Sequence, residues 1–250
     1  MIVGNLKMNL LNAQERDRYL AGMDKELKKT KLKNTEIVLC PPFVHLEAFG
    51  KWKKSKVALG AQDMFPEPKG SYTGAISPVM LKNCGCEYVI VGHSERRRYF
   101  AENNHEINLK VLAALKNGLV PILCVGENSG QEMAQVILGQ LRDCLEGVNR
   151  AKIEKVVICY EPVWAISSNN PNHMPTTNEI MGAKLLIRKF LVGKYGIKIA
   201  EKVRIIYGGS VAADNVDAVC INSDMGGALV GRESLSPHEF LKIAHSIDNC

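Results

Sequence analysis

Short apolar runs rich in Val, Ile and Leu recur along the chain, each closed by a polar or turn-forming residue. Eight stand out, at 2–8 (IVGNLKM), 36–42 (EIVLCPP), 57–62 (VALGAQ), 88–94 (YVIVGHS), 120–127 (VPILCVGE), 156–162 (VVICYEP), 204–210 (RIIYGGS) and 227–232 (GALVGR). Most are apolar nearly throughout rather than at alternate positions, the pattern of parallel strands covered on both faces. Between them lie longer stretches with apolar residues at helical spacing. The stretch NNHEINLKVLAALKNG places Ile107, Val111, Leu112 and Leu115 on one face. Gly118 closes this stretch and Gly196 closes NEIMGAKLLIRKFLVGKYG, where a glycine ends a helix without steric cost.

Strand and helix alternate from one end to the other, with no Ser/Gly linker, composition break or low-complexity tract. Eight such units in 250 residues match the count and size of a closed (β/α)8 barrel, eight parallel strands ringed by helices. Residues 1–250 therefore read as one domain. An open doubly wound sheet would favour a Gly-x-Gly-x-x-Gly turn after its first strand, and GNLKMNL has none.

Composition narrows the picture in three ways. Hydrophobic residues make up 46% of the chain and aromatics only 6%, so the core should be built mainly from Val, Ile, Leu and Ala. The net charge of +6 is spread along helix-like stretches. It is compatible with an anionic small molecule, and without a dense basic tail no nucleic-acid partner is expected. Arg96, Arg97 and Arg98 follow Glu95 and read as a solvated or salt-bridged helix face. Of eight cysteines, Cys40, Cys124, Cys159 and Cys220 sit in or beside apolar runs, where a thiol acts as a small hydrophobe. Cys84 and Cys86 lack the second pair or His cluster that a structural zinc needs. Reduced thiols point to a cytoplasmic location. No apolar run approaches a membrane span, so no membrane partner is expected.

In a barrel of this kind reactive groups gather at the C-terminal ends of the strands. Those ends carry Lys7, Gln62, His93, Glu127, Glu161, the turn Gly208-Gly209-Ser210 and Gly231. A carboxylate can take a proton from a carbon beside a carbonyl while a lysine and an imidazole stabilise the oxyanion. Glycine turns after strands seven and eight, with a short helix behind the latter, bring backbone N–H groups to a phosphate. Nothing obliges Glu127 to react, and it reads as structural.

The motifs NLKMN, VGHSERR, YEPVWAI, YGGSV and GALVGRESL occur in the order and spacing of the triosephosphate isomerases, and the chain resembles that family along nearly its whole length. The resemblance implies a TIM barrel that interconverts dihydroxyacetone phosphate and D-glyceraldehyde 3-phosphate by cofactor-free proton transfer through an enediolate. It implies Glu161 as base, a neutral His93 as electrophile and Lys7 as fixed cation, with Asn5 as a nearby donor. Ser94 and Glu95 would surround this site, and Tyr207 would latch a closed lid. Backbone groups of Ser167, Ser210, Gly231 and Arg232 would hold the phosphate. The resemblance implies no metal and no organic cofactor. It also implies a homodimer in which residues 63–75 carry Thr73 towards the partner's active site.

The stretch ICYEPVWAISSNNPNHMP then resolves into a strand that delivers the base, a hinge at Pro162-Val163-Trp164 and a lid that excludes water from the enediolate. Here the chain departs from the family: the lid tip reads Ser167-Ser168-Asn169-Asn170 instead of Gly-Thr-Gly-Lys, and Pro175 comes about one residue late. Leu6 replaces an aromatic, Ala75 a glutamate, and Arg232 a common glycine. Two other readings compete. A decarboxylase or aldolase barrel would need a Schiff-base lysine or an Asp/Lys array, and strand six offers only Glu161. A catalytically weakened phosphate-binding barrel with a scaffold or binding role would not need Lys7, His93 and Glu161 together.

Overall fold

The computed structural model describes residues 1–52, 54, 56–166 and 173–249. Eight parallel strands close on themselves in chain order. They are β1 (Ile2–Asn5), β2 (Ile37–Cys40), β3 (Val57–Ala61), β4 (Cys86–Val91), β5 (Val120–Val125), β6 (Val157–Tyr160), β7 (Ile205–Tyr207) and β8 (Ala228–Val230). Closure comes from β1 pairing with β8 in the register Ile2↔Ala228, Val3↔Leu229 and Gly4↔Val230.

The strands are apolar throughout because both faces are buried. Val3, Val38, Cys40, Ile90, Ile122, Cys124, Cys159 and Ile206 fill the barrel interior. Ile2, Ile37, Leu39, Val89, Val91, Leu123, Ile158 and Ile205 pack outward against the helices. The twofold alternation of a strand is present, but both sets are hydrophobic, so it leaves no polar trace in the sequence.

The outer layer contains α1 (Ala13–Lys29), α2 (Leu46–Trp52), α3 (Pro78–Asn83), α4 (Ser94–Tyr99), α5 (Asn104–Lys116), α6 (Met133–Cys144), α7 (Thr177–Tyr195), α8 (Ile197–Ala200) and α9 (Pro237–Asp248). Helix α5 starts at a capping box of Asn103 and Glu106. It buries Ile107, Val111 and Leu115, with Leu112 partly covered. Gly118 follows it at φ 72°, a conformation that L-residues adopt only at a cost. Helix α7 likewise opens on a capping box, Thr176 with Glu179, and stops at Gly196.

Three differences from the sequence reading have local causes. Strand β1 ends at Asn5 rather than at residue 8, because ladder pairing stops at Asn5↔Cys40 and Lys7 turns to φ 49°. The β4–β5 connection holds two helices, α4 and α5. The β7–β8 connection contains a five-residue π-helical turn, Asp217–Ile221.

Cys40, Cys124, Cys159 and Cys220 are all buried and free. Burial pushes the Cys220 thiol up to about 12, and Cys40 well above its ordinary value. Among the described residues no group of His, Cys, Asp and Glu could hold a metal ion, and no helix is long and apolar enough to cross a membrane. The arginine run is salt-bridged in part. Arg96 contacts Asp63 and Glu102, Arg97 donates to the Gly92 carbonyl and to Asn104, and Arg98 lies over the Tyr99 ring.

Candidate active site

The strands deliver the reactive side chains to one mouth of the barrel. Past β1, the Lys7 amide donates to Asn5 Oδ1 at 3.1 Å and Gln62 Nε2 donates to the Lys7 carbonyl at 2.8 Å. These bonds hold the left-handed turn at Lys7, an unusual conformation for a residue with a Cβ. Lys7 Nζ meets Glu95 Oε1 at 2.6 Å, so its charge is already paired.

Past β4, His93 is the N-cap of α4, and its Nδ1 accepts the Glu95 amide at 3.2 Å. A nitrogen that accepts an N–H carries no proton, which places the ring proton on Nε2. That nitrogen lies 2.9 Å from Glu161 Oε1. Past β6, the Glu161 amide donates to the Val125 carbonyl at 2.8 Å. Its carboxylate accepts the Ser94 amide at 2.9 Å and the Ser94 hydroxyl at 3.0 Å. The approach is close enough that a Cβ on Gly126 would run into the Glu161 carbonyl.

Burial alone would raise the Glu161 carboxyl, but His93 and the two Ser94 bonds outweigh it and hold the acid below its ordinary range. For His93 burial again opposes charge, and the Glu161 carboxylate outweighs it and raises the imidazole. The neutral ring implied by the family resemblance is therefore not a fixed property of the site. It depends on where the Glu161 carboxylate sits, and α4 is only six residues long.

Asn5, Lys7, His93 and Glu161 line one cavity together with Ser210, Gly231 and Arg232. Its volume of about 200 Å³ is below the ~300–1,000 Å³ of pockets for drug-sized ligands and suits a substrate of few heavy atoms. The Ser210 amide, expected to face a phosphate, donates here to the Ala165 carbonyl at 3.2 Å. The short 3-10 helix Arg232–Leu235 lies behind β8, with Gly231 as its N-cap. The Tyr207 hydroxyl is buried without a hydrogen-bond partner among the described residues, and a Cβ on Gly209 would collide with it. Ser167 and the lid tip lie outside the described residues.

Glu127 is structural as read: it accepts Trp164 Nε1 at 2.7 Å and the Tyr160 hydroxyl at 3.2 Å. Sequence reasoning did not single out Asn9 or Ile166, which also line the cavity. Asn9 sits inside NLKMN, but it follows the strand and has no periodicity to mark it. Its Nδ2 donates to the Leu6 carbonyl at 2.7 Å.

Comparison with known proteins places the chain among a known family. Residues 1–247 match the family model described as triosephosphate isomerase. The chain is 46% identical over 216 residues to the triosephosphate isomerase of Dictyoglomus thermophilum, covering 84% of this chain and 86% of that protein. Identity is 42% with the enzyme of a Thermoanaerobacter species and 44% with that of Caldanaerobacter subterraneus, each over 98% of both chains.

Proposed function

The chain belongs to the triosephosphate isomerase family and interconverts dihydroxyacetone phosphate and D-glyceraldehyde 3-phosphate, and on that premise we propose which of its residues carry the reaction. The observation behind the assignment is the meeting of Lys7, His93 and Glu161 around one small cavity at the strand ends.

In this state Glu161 is parked on Ser94 and His93. For catalysis its carboxylate leaves Ser94 and faces the carbon that bears both a hydrogen and a hydroxyl, next to the carbonyl. It takes that proton, and the C–H electron pair becomes the enediolate double bond while the carbonyl oxygen gains negative charge. Departure of Glu161 frees His93 Nε2–H to donate to that oxygen, and Lys7 Nζ supplies the fixed positive charge. Loss of the nearby anion also removes what raises the buried ring and so favours its neutral form, the electrophile described for this family. Glu161 then returns the proton to the neighbouring carbon, while the hydroxyl proton of the first carbon is relayed to the former carbonyl oxygen through His93 Nε2, so that the first carbon ends as the carbonyl. No electron leaves the substrate, so the step balances without an external oxidant or reductant.

Backbone N–H groups at Ser167, Ser210, Gly231 and Arg232 hold the phosphate in this scheme. Since the Ser210 amide is engaged by Ala165, phosphate binding and movement of the turn after Glu161 are coupled. A coupled assay with dihydroxyacetone phosphate tests the assignment: activity in the parent and its loss in Glu161→Gln support it. A Glu161→Gln variant within about tenfold of the parent would overturn it, because general bases contribute ~10²–10⁴-fold.

We also read residues 1–250 as one domain and the working unit as a homodimer built through residues 63–75. The segments after β1 to β4 expose Met8, Leu11, Val44, Tyr72, Tyr99 and Phe100, large apolar side chains of the sort that a second copy covers. Thr73 is exposed on the same loop system. The free buried thiols support a cytoplasmic location.

A further inference from the structure

Trp164 and His173 pack ring to ring, with centroids 4.8 Å apart and planes 31° from parallel. Trp164 belongs to the 3-10 turn Val163–Ala165, which follows Glu161 and Pro162 directly. Two bonds tie that turn to the end of β5: the indole Nε1–H donates to Glu127 Oε1 at 2.7 Å, and the Val163 amide donates to the Glu127 carbonyl at 2.9 Å. Both act on the turn's backbone or on one edge of the indole. Neither fixes the face of the ring, and His173 covers it.

His173 is itself exposed, so burial does not force its ring against an indole. Its backbone, however, has a firm anchor. Pro175 is buried, and Thr176 caps α7 by accepting the Glu179 amide while its own amide donates to Glu179 Oε2 at 2.7 Å. The ring contact therefore links a capped helix start to the turn that carries the base.

We propose that His173 is a positioning residue for the isomerisation: stacked on Trp164, it keeps the indole on Glu127 and thereby sets where the turn presents the Glu161 carboxylate. The inference rests on Glu161 being the base. Its reach is short, because Pro162 separates Glu161 from the stacked turn and a proline has a fixed φ. A small rotation of the turn displaces the carboxylate, and misplacement by an ångström costs ~10²-fold in reactions of this kind.

The charged groups near the stack are known. Glu127 holds the indole edge, and Glu179 is close enough to feel His173. Arg97 and Arg98 line the same groove as Trp164 and His173. A ring stacked on an indole covers its face, so removing that ring changes the environment in which the indole emits.

The test combines kinetics and fluorescence on the full chain. His173→Ala should lower kcat about 3- to 10-fold with KM within about twofold, a partial misplacement on the scale above. His173→Phe keeps a ring on the indole and should restore kcat to within about twofold of the parent. The emission of Trp164 should change in His173→Ala, where the indole face is uncovered, and stay near the parent's in His173→Phe, against the constant contribution of Trp52. A His173→Ala variant with parental kcat, a Phe variant no better than Ala, or an emission unchanged by the Ala substitution would overturn the proposal. A parent with no isomerase activity would instead overturn the reading of Glu161, an outcome that the fluorescence comparison distinguishes.

Discussion

At the scale of single residues the site is a closed set of bonds: Lys7 with Glu95, and Glu161 with His93 and Ser94. The roles proposed for these groups can be checked one at a time. In Glu161→Gln the carboxylate that raises His93 is gone while burial remains, so the imidazole should titrate below the ordinary ~6.5. NMR of the ring would read this, and an unchanged or higher value would show that another group sets the His93 charge. The same variant should lower kcat by ~10²–10⁴-fold, the share of a general base. Lys7→Met removes the cation facing the developing oxyanion and should cost about 3 kcal/mol in the transition state, or ~10²-fold in kcat. Loss of substrate affinity alone, with kcat intact, would argue against that role.

At the scale of elements, helix ends do much of the positioning. His93 caps α4 and so places its ring in the site, while Thr176 caps α7 beyond the segment that follows Glu161. A third end acts at the other mouth of the barrel. Asp248, at the end of α9, accepts the backbone amides of Lys33, Asn34 and Thr35 at 2.6–2.7 Å. Those three bonds, the Lys33 amide foremost, overcome its partial burial and depress the carboxyl to about 2. The folded value lies below the unfolded ~3.9. Its stabilisation is therefore complete above about pH 4 and lost as the pH falls towards about 2. Asp248→Ala should destabilise the protein by roughly 1.5–3 kcal/mol at neutral pH, as for hydrogen bonds to a charged acceptor. It should also flatten the acid limb in that window, read by denaturant melts at pH 7, 4 and 3. An acid limb parallel to the parent's would assign that limb to other carboxylates.

At the scale of the whole molecule, a buried ionic cluster links the loop after β3 to α4 and α5. Lys110 Nζ meets Asp63 Oδ1 at 2.7 Å and Glu102 Oε1 at 2.5 Å, and Arg96 bridges the same two carboxylates. Glu102 Oε2 is buried without a partner among the described residues. Removing one member leaves charge uncompensated in a dry site, so Lys110→Met should cost ~3–5 kcal/mol. A loss under about 1 kcal/mol, the scale of an exposed pair, would show that water reaches the cluster. Because Asp63 opens the segment 63–75, the same variant should weaken association of two copies. Sedimentation at micromolar concentration checks both points: the parent should run as a dimer and Lys110→Met should shift towards monomer. A fully active parental monomer would end the dimer reading.

Continuous apolar runs were enough to place eight strands, because burial on both faces demands apolar residues wherever a parallel strand runs, and helical spacing placed the major helices. The runs also put Lys7, His93 and Glu161 at strand ends, where a barrel gathers its chemistry, and the motifs carried the family. Local pattern could not give what depends on two distant segments meeting. That Ser94 and His93 hold Glu161, that Glu95 neutralises Lys7, and that Ala165 occupies the Ser210 amide are facts of three-dimensional approach between residues 45 to 88 positions apart. The stacking of His173 on Trp164 belongs with them, since an exposed histidine after a polar stretch has no periodic signature. Burial is a one-body demand that each residue's type reveals, whereas a hydrogen bond or ring contact is a two-body condition. The closed barrel alone decides which pairs satisfy it.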